Sequence, residues 1–284
     1  MEIKSIYDIE KEYTEFINRE DDVTLDLSCW LPSFRHIRPI YPGELVVVMA
    51  DTGVGKTAIL QNIAVCAKHN PTLLFEMELP GTLCFERFAA IQHKTTQSDI
   101  ESTYKDNKSV GVTFLDHIFV CDQSGISLDD VEEAIVKHQA EHECHIVMVD
   151  YMGLLNAKGA RSRYERLSDA AETMKVIAKR TNTIIIASTQ VHRKGDDYPD
   201  ELFIHDAKDS GSIENSAGLL LGAWRDSDDP KNIMIVKVLK CTKGEAGKKI
   251  RCVCDMSRMI IREEIMTDHI VNDIDDDLMD RELT

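Results

Sequence analysis

Apolar residues fall into two rhythms along this chain. Near the start they recur at Ile6, Ile9, Tyr13, Phe16 and Ile17, the spacing of one face of a helix over residues 5–18. A helix of that kind packs on its own domain or docks on a neighbour. Further on they gather into short unbroken runs: Leu45-Val46-Val47-Val48-Met49, then residues 73–80, 117–121, 146–149 and 184–188. Such runs read as strands buried on both faces. Between them the pattern predicts helices over 58–64, 82–92, 127–141 and 164–181, the third with Ser127 as N-cap and Asp130 three residues on. Residues 93–113 are polar and poorly patterned. Strands at 217–224, 232–239 and 249–261 then follow without helices between them. Residues 21–42 carry Pro32, Pro39 and Pro42 and read as a connector. The alternation predicts an α/β fold, a mainly parallel sheet with helices on both faces and an antiparallel C-terminal edge.

Chemistry enters directly after the first apolar run, where residues 50–57 read Ala-Asp-Thr-Gly-Val-Gly-Lys-Thr. Gly53 and Gly55 permit backbone angles that side chains forbid, so successive N–H groups can turn inward and cradle phosphate oxygens at a helix N-terminus. Lys56 can reach the β- and γ-phosphates, and the Thr57 hydroxyl can sit on Mg²⁺. The nucleotide-binding set is therefore Asp51, Thr52, Gly53, Val54, Gly55, Lys56, Thr57 and Ala58. The pattern ordinarily opens on glycine, and Ala50 stands there.

Three strand ends supply further candidates. Asp150 ends the run 146–149, where an acid can hold Mg²⁺. Glu76 and Glu78 end the run 73–80, where a carboxylate can activate the attacking water. Strand alternation puts both on one side and does not choose between them. Gln190 follows the run 184–188, where an amide can sense the γ-phosphate.

Composition narrows the setting. The net charge is −17, and about half of it lies in residues 263–284, which hold nine acids against one base, Arg281. That segment reads as a solvated or partner-binding acidic tail. No run is long and apolar enough to span a membrane, the N-terminus does not resemble a signal peptide, and the eight cysteines are scattered through apolar segments. A cytoplasmic protein with reduced thiols is expected. His138, Glu141, His142, Cys144 and His145 cluster without a metal-binding order and read as a solvated helix end. Cys252 and Cys254 share one face of a strand and read as core.

Phe75-Glu76-Met77-Glu78-Leu79-Pro80, Asp122-Gln123-Ser124-Gly125, Val149-Asp150-Tyr151-Met152-Gly153-Leu154, Ala187-Ser188-Thr189-Gln190 and Asp209-Ser210-Gly211-Ser212-Ile213-Glu214-Asn215 occur in an order and spacing similar to the DnaB-like replicative helicases. These are hexameric ring motors with a RecA-like P-loop NTPase core. The resemblance covers roughly residues 30–262, and Ser210 to Glu214 is its most specific segment. It implies three parts: an N-terminal helix and linker over 1–30, an ATPase domain over 31–262 and the acidic tail over 263–284.

The resemblance also implies roles. Lys56 and Thr57 bind phosphate and Mg²⁺, Glu78 rather than Glu76 is the catalytic base, Asp150 is the Mg²⁺ acid, and Gln190 is the γ-phosphate sensor. Arg87 matches an arginine on the helix after the glutamate. Loops around 157–164 and 192–211 line a channel for single-stranded DNA, with Arg161, Arg163, His192, Arg193, Lys194 and Lys208 as phosphate contacts. ATP and Mg²⁺ are the implied cofactors. A homo-hexamer is implied, with single-stranded DNA bound and a primase, a loader or another replication protein meeting the tail, in a bacterial or phage-infected cell.

Three departures accompany it. Thr242 stands where the family carries an arginine that reaches the neighbouring subunit's ATP, leaving Lys240 and Lys243 as trans-acting candidates. Gly153 replaces a common glutamine. The family's separate N-terminal helical domain has no counterpart here beyond the short first helix. The leading expectation is an ATP-driven helicase. A regulatory or loader-like ATPase without unwinding activity is the alternative, and a strand-exchange recombinase ranks last.

Overall fold

β-Branched and leucine-rich runs form the centre of a nine-stranded sheet in the order β3-β2-β4-β5-β1-β6-β7-β8-β9. The structure, a computed structural model, describes residues 4–17, 23–156, 163–191, 201–207, 211–225 and 229–264. The strands are β1 (Leu45–Ala50), β2 (Thr72–Glu76), β3 (Ile118–Cys121), β4 (Ile146–Asp150), β5 (Ile184–Gln190), β6 (Leu219–Trp224), β7 (Ile233–Cys241), β8 (Lys249–Asp255) and β9 (Ile260–Glu263). Neighbouring strands from β3 to β6 pair in parallel, and those from β6 to β9 pair antiparallel. The helices are α1 (Ile6–Ile17), α2 (Lys56–Cys66), α3 (Gly81–His93), α4 (Gln97–Lys105), α5 (Leu128–Gln139), α6 (Arg163–Thr181) and α7 (Gly211–Ser216).

Alternation divides each central strand between two cores. Val46, Val48, Leu74, Met148 and Ile186 pack with Ile59, Leu60 and Ile63 of α2, Phe88 of α3, and Leu31 and Phe34 of the connector. Val47, Met49, Phe75, Val149 and Ile185 pack with Val131 and Ile135 of α5 and Met174 and Ile177 of α6. Covering both faces explains why the runs are apolar throughout. The connector forms two short 3₁₀ turns, Leu27–Cys29 and Pro32–His36, and Trp30 Nε1 donates to the Ile261 carbonyl at 3.0 Å.

Several expectations need correction. Residues 93–113 contain α4, capped by a reciprocal Thr96–Asp99 box. It buries Ile100 alone among its residues, so it leaves almost no apolar periodicity to read. The single strand expected at 249–261 is a hairpin of β8 and β9, with Met259 at φ 56° in the turn region between them. β2 stops at Glu76, so Glu78 ends no strand and alternation does not relate the two acids. β5 runs through Gln190, two residues past its predicted end. Cys29 and Cys66 form a disulfide between the connector and α2, whereas the other six cysteines are free thiols.

Other readings match. Ser127 and Asp130 form the capping box of α5. Cys252 and Cys254 are both buried. The described side chains of α1 are exposed, with Ile6 at 81% and Tyr7 and Tyr13 each at 61% of full accessibility. Among the described residues no helix is long and apolar enough to cross a membrane.

Candidate active site

The phosphate loop leaves the sheet between its two central parallel neighbours, β5 and β6. Ala50 is the last, fully buried residue of β1 and has no positive φ, so alanine meets no conformational demand there. The demand falls on Gly53, at φ 77°, and Gly55, at φ 121°, which caps α2. A Cβ at Gly53 would meet nothing within 4 Å, so the loop is open on that side. Lys56 Nζ donates to the Asp51 carbonyl at 3.1 Å, and Asp51 Oδ1 accepts the Thr52 N–H at 2.6 Å. Burial holds the Lys56 ammonium below the usual lysine range, against the opposing charges of Asp150, Glu78 and Asp51.

Sheet register brings the acids to this loop. Glu76 is paired with Asp150 across β2 and β4. Asp150 is buried. Its Oδ1 accepts a hydrogen bond from Ser188 Oγ at 2.5 Å, and its Oδ2 is buried without a partner. An orphaned carboxylate oxygen on an acid that interacts electrostatically with Lys56 fits a hard cation, with the half-buried Thr57 in the first turn of α2 as the hydroxyl donor. Gln190 is paired with Ala50, and its amide Nε2 donates to Thr52 Oγ1. The predicted sensor therefore touches the loop directly.

The two competing glutamates differ sharply. Glu78 is exposed, its carboxyl raised by partial burial and by Asp150 and lowered by Lys56 and Arg87. Glu76 is 0% exposed, and burial followed by the Asp150 charge pushes it up to about 7. The exposed acid is free to meet a water, while the buried one accepts the N–H groups of Glu78 and Leu79, both at 3.1 Å.

Other motif residues have structural partners. Asp122 Oδ2 accepts the Gly81 N–H at 2.7 Å, securing the start of the helix that follows Glu78. Ser212 Oγ donates to Glu172 on α6 at 2.7 Å. A Cβ at Gly153 would lie 2.6 Å from Tyr151 Cε2, so this tyrosine ring occupies the space a longer side chain needs. Lys240 Nζ donates to the Glu214 and Ala217 carbonyls, the latter at 3.0 Å, at the C-terminal end of α7. Thr242 N–H donates to the Gly218 carbonyl at 2.9 Å, and Lys243 is exposed on the β7–β8 turn.

Among the DNA-contact candidates, Arg161, His192, Arg193, Lys194 and Lys208 lie outside the described residues. Arg163 opens α6, and its side chain also lies outside them. The tail from residue 265 onward does so as well.

Sequence reasoning overlooked three contributors. Ser188 is signalled only by a hydroxyl at the end of an apolar strand. Arg225, just past β6, donates from Nη2 to the Val54 carbonyl of the loop at 3.3 Å and from Nη1 to the Lys231 and Ile233 carbonyls. The positioning bonds of Glu76 depend on a chain bend that periodicity does not encode.

Residues 35–254 match the DnaB-like helicase C terminal domain. Relatives named replicative DNA helicase DnaB include one from Mycoplasma pneumoniae, 29% identical over 252 residues, covering 78% of this chain and 53% of the relative. Another, from Mycoplasma genitalium, is 28% identical over 211 residues, covering 67% and 44%. The chain thus spans about half the length of these curated relatives. Among solved structures, an ATPase domain superposes with a TM-score of 0.78 at 20% identity, covering 93% of this chain and all of that one. A DnaB-like replicative helicase, described with its interactions with primase, gives 0.74 at 19% identity, covering 93% of this chain and 68% of that one. These likenesses give the sheet and its flanking helices a RecA-like fold, and the match over most of the chain, on the residues that build the phosphate loop and its facing strand ends, places this protein in the DnaB-like helicase C-terminal domain family.

Proposed function

We propose that this chain is the motor of a ring helicase that hydrolyses ATP, translocates on single-stranded DNA and unwinds duplex DNA during replication. The observation that carries this reading is the convergence of Lys56, Asp150, Glu78 and Gln190 on one phosphate loop. The loop N–H groups and Lys56 take the phosphates of ATP. Thr57 and Asp150 hold Mg²⁺, which when bound neutralises charge on those phosphates. Glu78 accepts a proton from the attacking water, and its exposure leaves it free to do so. Gln190 links the loop to β5, whose next segment, residues 192–211, is the proposed DNA contact with Arg193, Lys194 and Lys208. Arg161 and Arg163 supply the second contact.

Assembly into a homo-hexamer is supported by α1, whose Ile6 and Ile9 are exposed. A second copy of this chain would cover that face. Primase contact, described for one structural relative, is proposed here through the acidic tail. The net charge of −17 is compatible with DNA binding if the ring carries its bases inward.

One observation favours a second reading, an accessory ATPase that assembles without unwinding. Lys240 is engaged within its own subunit and Thr242 offers no cation, so only Lys243 of the named candidates faces outward. The two readings separate in one experiment: ATP turnover with and without poly-dT, alongside unwinding of a forked duplex. DNA-stimulated turnover with strand separation supports the motor. Turnover with neither stimulation nor unwinding removes it and leaves the accessory reading.

A further inference from the structure

We propose that Glu76 is a positioning residue that holds the turn from which Glu78 acts, an inference that rests on Glu78 being the catalytic base. β2 ends at Glu76, and the next three residues leave the sheet with their N–H groups unclaimed by a strand ladder. All three are nevertheless bonded. Met77 N–H donates to the Asp150 carbonyl at 3.1 Å. Glu78 N–H and Leu79 N–H both donate to one oxygen, Oε1 of Glu76, at 3.1 Å. The backbone of the base is thereby tied to the two residues that face each other across β2 and β4, one of them the Mg²⁺ acid.

The choice of a carboxylate at this position is costly for folding. Glu76 is fully buried, its Oε2 has no partner, and Asp150 is the neighbouring charge. An apolar residue would fill the same volume without that penalty. What it would lose is an acceptor able to take two adjacent N–H groups at a bend. The helix that follows provides no substitute, because its N-cap, Pro80, makes no side-chain hydrogen bond. A role in packing alone does not call for the acceptor. A role in fixing where Glu78 stands does, since misplacing a catalytic group by about 1 Å costs about 100-fold in rate.

The test compares Glu76→Met, Glu76→Gln and Glu78→Gln in the full chain with Mg²⁺, ATP and poly-dT. Glu76→Met, of similar length but without the acceptor, is expected to lower kcat by about 10- to 100-fold while KM for ATP stays within about 2-fold. Glu76→Gln retains the Oε1 acceptor and is expected to stay within about 3-fold of wild type. Amide hydrogen exchange without nucleotide gives a second readout. The Glu78 and Leu79 amides should be protected in wild type and Glu76→Gln and exposed in Glu76→Met.

Wild-type kcat in Glu76→Met beside an inactive Glu78→Gln overturns the inference and leaves the base intact. Full turnover in Glu78→Gln overturns the reading of the base itself. If Glu76→Met does not fold, Glu76→Ala decides, because it too lacks the acceptor: an unchanged kcat there also overturns the inference.

Discussion

Replacing Glu76 by glutamine should change how stability depends on pH. The folded chain holds this carboxyl at about 7, against an ordinary value of 4.5, because burial and the Asp150 charge both disfavour its ionised form. A raised acid binds its proton in the folded state at a pH where the unfolded chain has released it. Stability from this group is therefore fully present below about pH 4.5, declines as pH rises and is gone above about pH 7. At about 1.4 kcal/mol per pH unit, the loss over that window is about 3 kcal/mol. Glutamine does not titrate, retains the Oε1 acceptor and removes the buried charge. The variant should thus gain about 3 kcal/mol on the wild type between pH 4.5 and pH 8. Urea unfolding of both proteins at pH 4.5, 6 and 8, without nucleotide and with divalent cations chelated, measures this difference. Titrating groups remote from Glu76 cancel in the comparison. A difference that stays flat across the three pH values would refute the buried, proton-holding Glu76 and with it the physical account of the strand end.

Three further outcomes are expected. Lys56→Ala should abolish tight ATP binding by calorimetry while leaving the unfolding free energy within about 1 kcal/mol of wild type, and retained tight binding would remove Lys56 from the phosphate site. Asn62→Ala should destabilise by about 2–4 kcal/mol in urea unfolding, because this buried side chain bonds the Ala58 and Met259 carbonyls at 2.7 Å each and the Ile261 N–H at 3.1 Å. A cost below about 1 kcal/mol would show that α2 does not depend on this tie to the β8–β9 hairpin. Lys240→Ala should lower stability by about 1 kcal/mol through the uncapped end of α7, whereas Lys243→Ala should leave stability unchanged and reduce turnover only at protein concentrations where subunits associate. Equal stability losses in both would contradict the division between them.

The phosphate loop was readable from the chain because its chemistry is local: two glycines, a lysine and a threonine act within eight consecutive residues after one apolar run. The central strands were readable for a similar reason, since a strand covered on both faces must be apolar at every position. The capping box at Ser127 and Asp130 needs only three residues of context. By contrast, α4 was invisible because a surface helix that buries only Ile100 has no periodic signature. The β8–β9 hairpin was read as one strand because its turn lacks a glycine or proline, with Met259 taking the left-handed angle instead.

What the tertiary structure decided was distance and burial between parts far apart in sequence. Strand alternation offered Glu76 and Glu78 as equals, and only the family resemblance chose between them. Their difference arises where β2 leaves the sheet, burying one acid beside Asp150 and turning the other outward. Ser188 reaches Asp150, and Arg225 reaches Val54, only because parallel register sets β5 beside β4 and β6 beside β1. Lys240, a candidate for another subunit's nucleotide, is laid against the end of α7 by the fold. A short motif carries its own geometry, whereas the electrostatics and hydrogen-bond partners of a buried side chain belong to whatever the fold places around it.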